Sequence, residues 1–232
     1  MSETIPLLPC PVCRQEVSGS YCSHCGNQLT GKRVKFSTAA GDLLNTFFAV
    51  DRSVSTNFKE MLLHPGNIIN LYLDGNRRFY FSPGRYLLIA AALLAFSFLK
   101  TNNSFFFVSL DIEGAAGQVV FLFLFLPIFS VGSWLTYLKF HKNLFEHFVI
   151  NAYTFGFWLI GFSILNIFSA EIFPDWLQEC MVGLFSLLVN LYNSFVFKLS
   201  VFKRVLYVLL NVLLNLALFT LIIMVIKLLF KV

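Results

Sequence analysis

Long, nearly uninterrupted apolar stretches limit the folds open to this chain. Residues 118–138, 148–168, 181–197 and 205–226 are runs dominated by Leu, Ile, Val and Phe. Each approaches the roughly 20 residues that an α-helix needs to cross a bilayer. A fifth run, 86–99, is shorter. Ser82-Pro83-Gly84 marks its entrance, since proline is tolerated at a helix start, and it can extend into Lys100 or back over a snorkelling Arg85. Charged residues make up 12% of the chain against 57% hydrophobic ones, whereas a soluble domain carries about a quarter charged residues. The 29 Phe would overfill a water-soluble core of this size. Lipid removes that difficulty, because apolar side chains can face the solvent there. The expected fold is an all-α transmembrane helix bundle over residues 86–232.

Residues 1–35 differ in kind. Four of the five cysteines lie here, as Cys10-Pro11-Val12-Cys13 and Cys22-Ser23-His24-Cys25. Two C-x-x-C knuckles can set four thiolates around one tetrahedral ion, and a redox-inert Zn²⁺ suits such a set. The sequence thus predicts a small zinc-ribbon module with one structural Zn²⁺ on Cys10, Cys13, Cys22 and Cys25. Disulfides are the competing reading, disfavoured by a reducing cytoplasm. A fully ligated ion leaves no open position for catalysis.

Between ribbon and bundle, residues 36–85 alternate apolar pieces (39–50, 54–63 and 67–73) with Asp42, Asn45, Asp51, Lys59, Glu60 and Asp74. Short amphipathic helices at the membrane surface fit this pattern, and a small soluble helical linker is the alternative. Pro65-Gly66 and Asp74-Gly75 read as turns. Arg77, Arg78 and Arg85 follow and are candidates for lipid-phosphate contacts. With Lys139, Lys142, Lys198, Lys203 and Arg204, these arginines place the N-terminus and the 139–147 and 198–204 loops in the cytoplasm by the positive-inside rule. The basic residues lie scattered between apolar runs, so no nucleic-acid footprint is expected.

Polar residues inside membrane helices need a reason. His147, Asn151 and Thr154 share a helix face, Asn190 sits between Ser186 and Ser194 at i±4, and Asn211 and Asn215 follow in the last run. His147, Asn151, Asn190, Asn211 and Asn215 could converge as an intramembrane or partner site. Interhelical hydrogen bonding is the plainer account of the same residues. H-E-x-x-H, G-x-S-x-G and glycine-rich phosphate loops are absent from the sequence.

Several stretches carry a resemblance. Tyr21-Cys22-Ser23-His24-Cys25-Gly26, His64-Pro65-Gly66, the run from Tyr72 through Gly75, Arg77 and Tyr80 to Pro83, and Glu146-His147 followed by Phe148 together resemble an uncharacterised family of multi-pass membrane proteins common in Bacteroidetes-type bacteria. The resemblance implies a bacterial inner-membrane location and an N-terminal ribbon. It brings no activity. His64 stands where that family has Arg.

These observations favour a non-enzymatic membrane protein, a scaffold or accessory subunit whose cytoplasmic zinc ribbon docks a protein partner. A transporter or channel subunit and a membrane-lipid-modifying enzyme are the alternatives. Membrane lipids are expected neighbours, and the sequence leaves homo-oligomerisation open. The orientation is testable in a background lacking the native cysteines. Cysteines placed at Ile112 and Asp175 should react with an impermeant thiol reagent in intact cells, and one at Val201 should not. The reverse pattern overturns the orientation.

Overall fold

The computed structural model describes residues 8–10, 15–17, 22–23, 54–76, 80–101, 104–105, 108–109, 115–169 and 172–230. Near the start, strands β1 (Leu8–Pro9) and β2 (Glu16–Val17) pair antiparallel. The Cys10 amide extends the pairing by donating to the Gln15 carbonyl. This two-residue ladder is not a β-rich ribbon module.

Helix α1 (Val54–Leu63) and helix α2 (Pro65–Leu73) are separated by His64 alone. A residue before proline is pushed out of the helical region, and His64 adopts φ −135°, ψ 52°, leaving Pro65 to begin α2. The far end of α2 closes in a Schellman motif. The Asn76 amide donates to the Leu71 carbonyl and the Gly75 amide to the Tyr72 carbonyl, with Gly75 at φ 94°.

Helix α3 (Pro83–Lys100) starts on a proline and ends on a lysine that suits the negative end of the helix dipole. A short hairpin follows, β3 (Ser104–Phe105) against β4 (Val108–Ser109). Helix α4 (Ala115–Thr136) carries Pro127 in its interior. A 3₁₀ turn (Leu138–Phe140) and a left-handed His141 then redirect the chain. Helix α5 (Leu144–Ser169) opens with a capping box: the Asn143 amide donates to the Glu146 carboxylate and the Glu146 amide to Asn143 Oδ1. Helix α6 (Asp175–Ser194) and helix α7 (Val201–Phe230) complete the bundle.

Helix α5 is the axis. It packs most extensively on α3 and also touches α2, α4 and α6, while α7 covers α4 and α6. Three helices among the described residues are long and apolar enough to cross a membrane: Pro83–Lys100, Leu144–Phe168 and Val201–Ile222. In α4 the apolar segment that qualifies is the shorter Phe125–Thr136. The helical, membrane-type architecture expected from the sequence is therefore present, with three helices meeting the requirement rather than five. The share buried within the protein is 72% for the α5 span and 17% for the α7 span, which makes α5 the core and α7 the outer wall. On α7 the buried residues are Val208, Asn211 and Asn215, whereas Leu209, Leu213 and Leu216 are exposed. Polar groups inward and leucines outward invert the pattern of a helix in water.

The pair α1–α2 is bound into the bundle rather than lying loosely beside it. Met61, Ile68, Ile69 and Tyr72 belong to the same buried core as Tyr86, Tyr153 and Phe157. Side chains reach backbone groups across the junction. Asn57 Oδ1 accepts from the Phe81 amide at 2.7 Å, Tyr153 donates to the Phe81 carbonyl at 2.8 Å, Tyr192 to the Leu62 carbonyl at 3.0 Å and Asn70 to the Val196 carbonyl at 3.1 Å. Gly66 lies against the Phe195 carbonyl so closely that a Cβ would collide with it. Of the segments expected in this zone, 39–50 lies outside the described residues.

Two substitutions test the clamp by thermal unfolding in detergent. Asn57→Ala strands the buried Phe81 amide and should cost about 1–3 kcal/mol, read as a lowered Tm. Gly66→Ala should also lower Tm, because the neighbouring atoms are backbone. Unchanged Tm in both variants would show that α1–α2 is not held as described.

Candidate functional site

The residues that could carry chemistry gather where α4 ends, α5 begins, α6 ends and α7 begins. Basic side chains line this end. Lys139 Nζ lies 4.7 Å from the Tyr207 ring centroid, the Arg204 guanidinium carbon 4.4 Å from that of Phe195, and the Arg85 guanidinium carbon 5.2 Å from that of Phe81.

Beneath them a polar network enters the bundle. Ser133 Oγ and His147 Nδ1 share a 2.7 Å hydrogen bond. Asn151 donates to the His147 carbonyl at 2.9 Å, Asn193 donates to Asn151 Oδ1 at 2.8 Å, and Thr154 donates to Asn193 Oδ1 at 2.7 Å. A second branch runs through α7. Asn215 donates to Asn190 Oδ1 at 3.2 Å and reaches Asn211 Oδ1 at 3.5 Å, and Thr136 Oγ1 lies 3.4 Å from that same Asn211 oxygen. Gly132 makes room for this branch, since a Cβ there would strike the Asn215 side chain.

All five polar residues anticipated in the spans, His147, Asn151, Asn190, Asn211 and Asn215, are buried, none more than 4% exposed. Asn190, Asn211 and Asn215 are joined by side chains, and His147 and Asn151 through a backbone carbonyl. The bridging residues Ser133, Thr136 and Asn193 escaped the sequence reading. The signal was present: Asn193 follows Asn190 by three positions, and Thr136 follows Gly132 by four, each spacing placing the pair on one helix face. His147 Nε2, Tyr137 Oη, Asn211 Nδ2 and Asn215 Oδ1 have no hydrogen-bond partner among the described residues. A cluster of such groups marks where a polar ligand is accommodated or strain is kept.

Among the described residues the network stops at an aromatic layer. Phe129, Phe155, Phe162 and Phe185 meet in edge-to-face contacts with centroids 5.9, 5.2 and 5.3 Å apart in turn. Beyond that layer Asn166 donates to Ser97 Oγ at 2.8 Å, a separate pin between α3 and α5. Glu146, the carboxylate next to His147, caps α5.

The metal expectation needs correction. Among the described residues no group of three or more His, Cys, Asp or Glu side chains could hold a metal ion. Cys10 and Cys22 are described and buried, while Cys13, Cys25, Arg77 and Arg78 lie outside the described residues. The Zn²⁺ expected from the sequence is thus not borne out: the described residues contain no such group, and the two-residue β1–β2 ladder is the only pairing described near it.

The network's energetic role is measurable. A double-mutant cycle on Thr154→Ala and Asn193→Ala should give a coupling of about 0.6 kcal/mol, up to about 1.7, in the range of interhelical hydrogen bonds within membranes. Purely additive losses would mean that the contact carries no stability.

Among known proteins, residues 51–95 match a family described as "Protein of unknown function (DUF3667)". No curated protein matches the chain, and no solved structure matches it. The match covers α1, α2 and most of α3. It supports the presence of an uncharacterised domain where the Tyr72-to-Pro83 motif lies, and it carries neither a bacterial source nor a ribbon.

Proposed function

We propose that this chain is a non-enzymatic multi-pass protein of a bacterial inner membrane. In this reading it serves as a scaffold or accessory subunit whose N-terminal segment, on the cytoplasmic side, docks a protein partner. One observation carries the reading. The α1–α2 pair is clamped to the basic end of the bundle through three contacts between side chains and backbone groups, at Asn57, Leu62 and Asn70. The chain therefore enters the bundle at a fixed point, the start of α1 at Val54, which suits an anchor for a docking element. The chemistry at the same end agrees. Glu146 is engaged in capping and His147 pairs with Ser133, so neither is arranged as an acid–base pair for lipid chemistry.

A transporter or channel subunit is the second reading, favoured by the buried polar network over four helices. The phenylalanine layer counts against a continuous path in this conformation, because a polar solute would have to cross it unsolvated.

The two readings part in one experiment. Full-length protein purified in mild detergent should bring down a stoichiometric soluble partner, which should rebind when purified and be lost on deletion of residues 1–35. Absence of any such partner, together with solute flux in proteoliposomes, would replace the docking reading with the second one.

A further inference from the structure

The turn between α4 and α5 and the turn between α6 and α7 close over Tyr137, whose environment neither reading uses. Its ring is stacked on Phe197 at 4.2 Å and on Tyr207 at 5.3 Å, with interplanar angles of 11° and 17°. Tyr137 is 0% exposed and its hydroxyl has no hydrogen-bond partner among the described residues. Arg204 is an electrostatic neighbour of that phenol. The guanidinium of Arg204 is fixed against Phe195 and makes a long contact, 3.4 Å, to the Leu199 carbonyl, yet its buried Nε has no partner among the described residues. Lys139 completes the group from above Tyr207.

Arg204 and Lys139 offer only donors, and the Tyr137 hydroxyl can donate as well. Neither 137–143 nor 195–204 contains an Asp or Glu, so neither turn supplies a countercharge. A ligand fitting these groups must bring negative charge and several acceptor oxygens. The rim of the same place is apolar: Leu138, Val201 and Phe202 are 49%, 75% and 81% exposed. Cations beside exposed apolar side chains at the end of a membrane bundle match the headgroup region of a bilayer. We infer that Tyr137, Arg204 and Lys139 form a binding site for a phosphate group, supplied by the headgroup of an anionic phospholipid whose chains run over Leu138 and Phe202. The site goes beyond the docking reading and does not depend on it.

Full-length protein in detergent tests the assignment by thermal shift against phosphatidylglycerol, phosphatidylcholine and inorganic phosphate. Phosphatidylglycerol should raise Tm well above the effect of phosphatidylcholine. Arg204→Gln should weaken its apparent affinity about tenfold, the scale of one charge-assisted hydrogen bond. Lys203→Gln should leave the affinity nearly unchanged, which separates a site from general attraction. Tyr137→Phe keeps the ring stack. Without lipid its Tm should be unchanged or higher, because the deleted hydroxyl has no protein partner, and the stabilisation by phosphatidylglycerol should shrink. An Arg204-dependent response to inorganic phosphate but not to the lipid keeps the site and changes the source of the phosphate. No response to either, or equal losses in Arg204→Gln and Lys203→Gln, overturns the site.

Discussion

Hydrocarbon offers no hydrogen bonds, so a polar group carried into it must be satisfied by the chain itself. Helix α5 concentrates that constraint. Its His147, Asn151, Thr154 and Asn166 are all fully buried, and its neighbours are positioned by what these groups reach. Asn151 and Thr154 hold α6 through Asn193, Ser133 on α4 meets His147, and Asn166 pins α3 through Ser97. Burial of apolar surface cannot select these pairings, because the lipid is as apolar as the leucines it would replace. Directional polar contacts and close packing must do so. That is why α7, whose buried stripe contains Asn211 and Asn215, can leave most of its leucines outside.

The bundle is not uniform along its axis. The basic end holds the polar network, the capped start of α5 and the stacked rings around Tyr137. The middle is a layer of phenylalanines, and beyond it Asn166 pins α5 to Ser97 on α3. A polar network that stops at an aromatic layer resembles a structural lock more than a conduit, since a conduit needs polar lining throughout. The same network leaves three polar atoms, His147 Nε2, Asn211 Nδ2 and Asn215 Oδ1, without partners among the described residues, each an uncompensated desolvation of about 1–3 kcal/mol. The orphaned groups make the basic end the place where the structure gains most from a ligand.

Legibility in the sequence followed the range of the interactions. Helix-length apolar runs and turn residues act locally, so α1 appears at its expected 54–63 and Gly75 and Pro83 punctuate as read, while Pro65-Gly66, expected as a turn, opens α2 after a break at His64. The Asn and His stripes on the spans were legible because lipid makes any polar residue conspicuous. Their partners were not. Thr136 and Ser133 look like ordinary small residues until α7 and α5 are placed beside them. The start of α5 was set too late, at 148, although Asn143-x-x-Glu146 is a local capping signature. Long-range geometry also hid the role of Gly66: nothing near it in sequence announces that the Phe195 carbonyl will lie against it. The zinc reading failed at a different step. Knuckle spacing shows that four thiols could meet around an ion, and the described residues contain no such group.

The matched domain and the fold explain each other. Residues 51–95 include Asn57, which receives the Phe81 amide, Gly66 against the Phe195 carbonyl, Gly75 closing α2 and Pro83 opening α3. Tyr72 stacks edge-on with Tyr153 at 5.5 Å, and Tyr86 donates to the Asn57 carbonyl at 3.1 Å. Each of these positions is accounted for by building the clamp between the helical pair and the bundle, and none is left needing a catalytic or binding role. These positions within the matched region are thus accounted for by architecture. The groups that architecture leaves unexplained are Tyr137, Arg204 and the orphaned edge of His147. They lie at or beside the α4–α5 and α6–α7 turns, outside the matched residues.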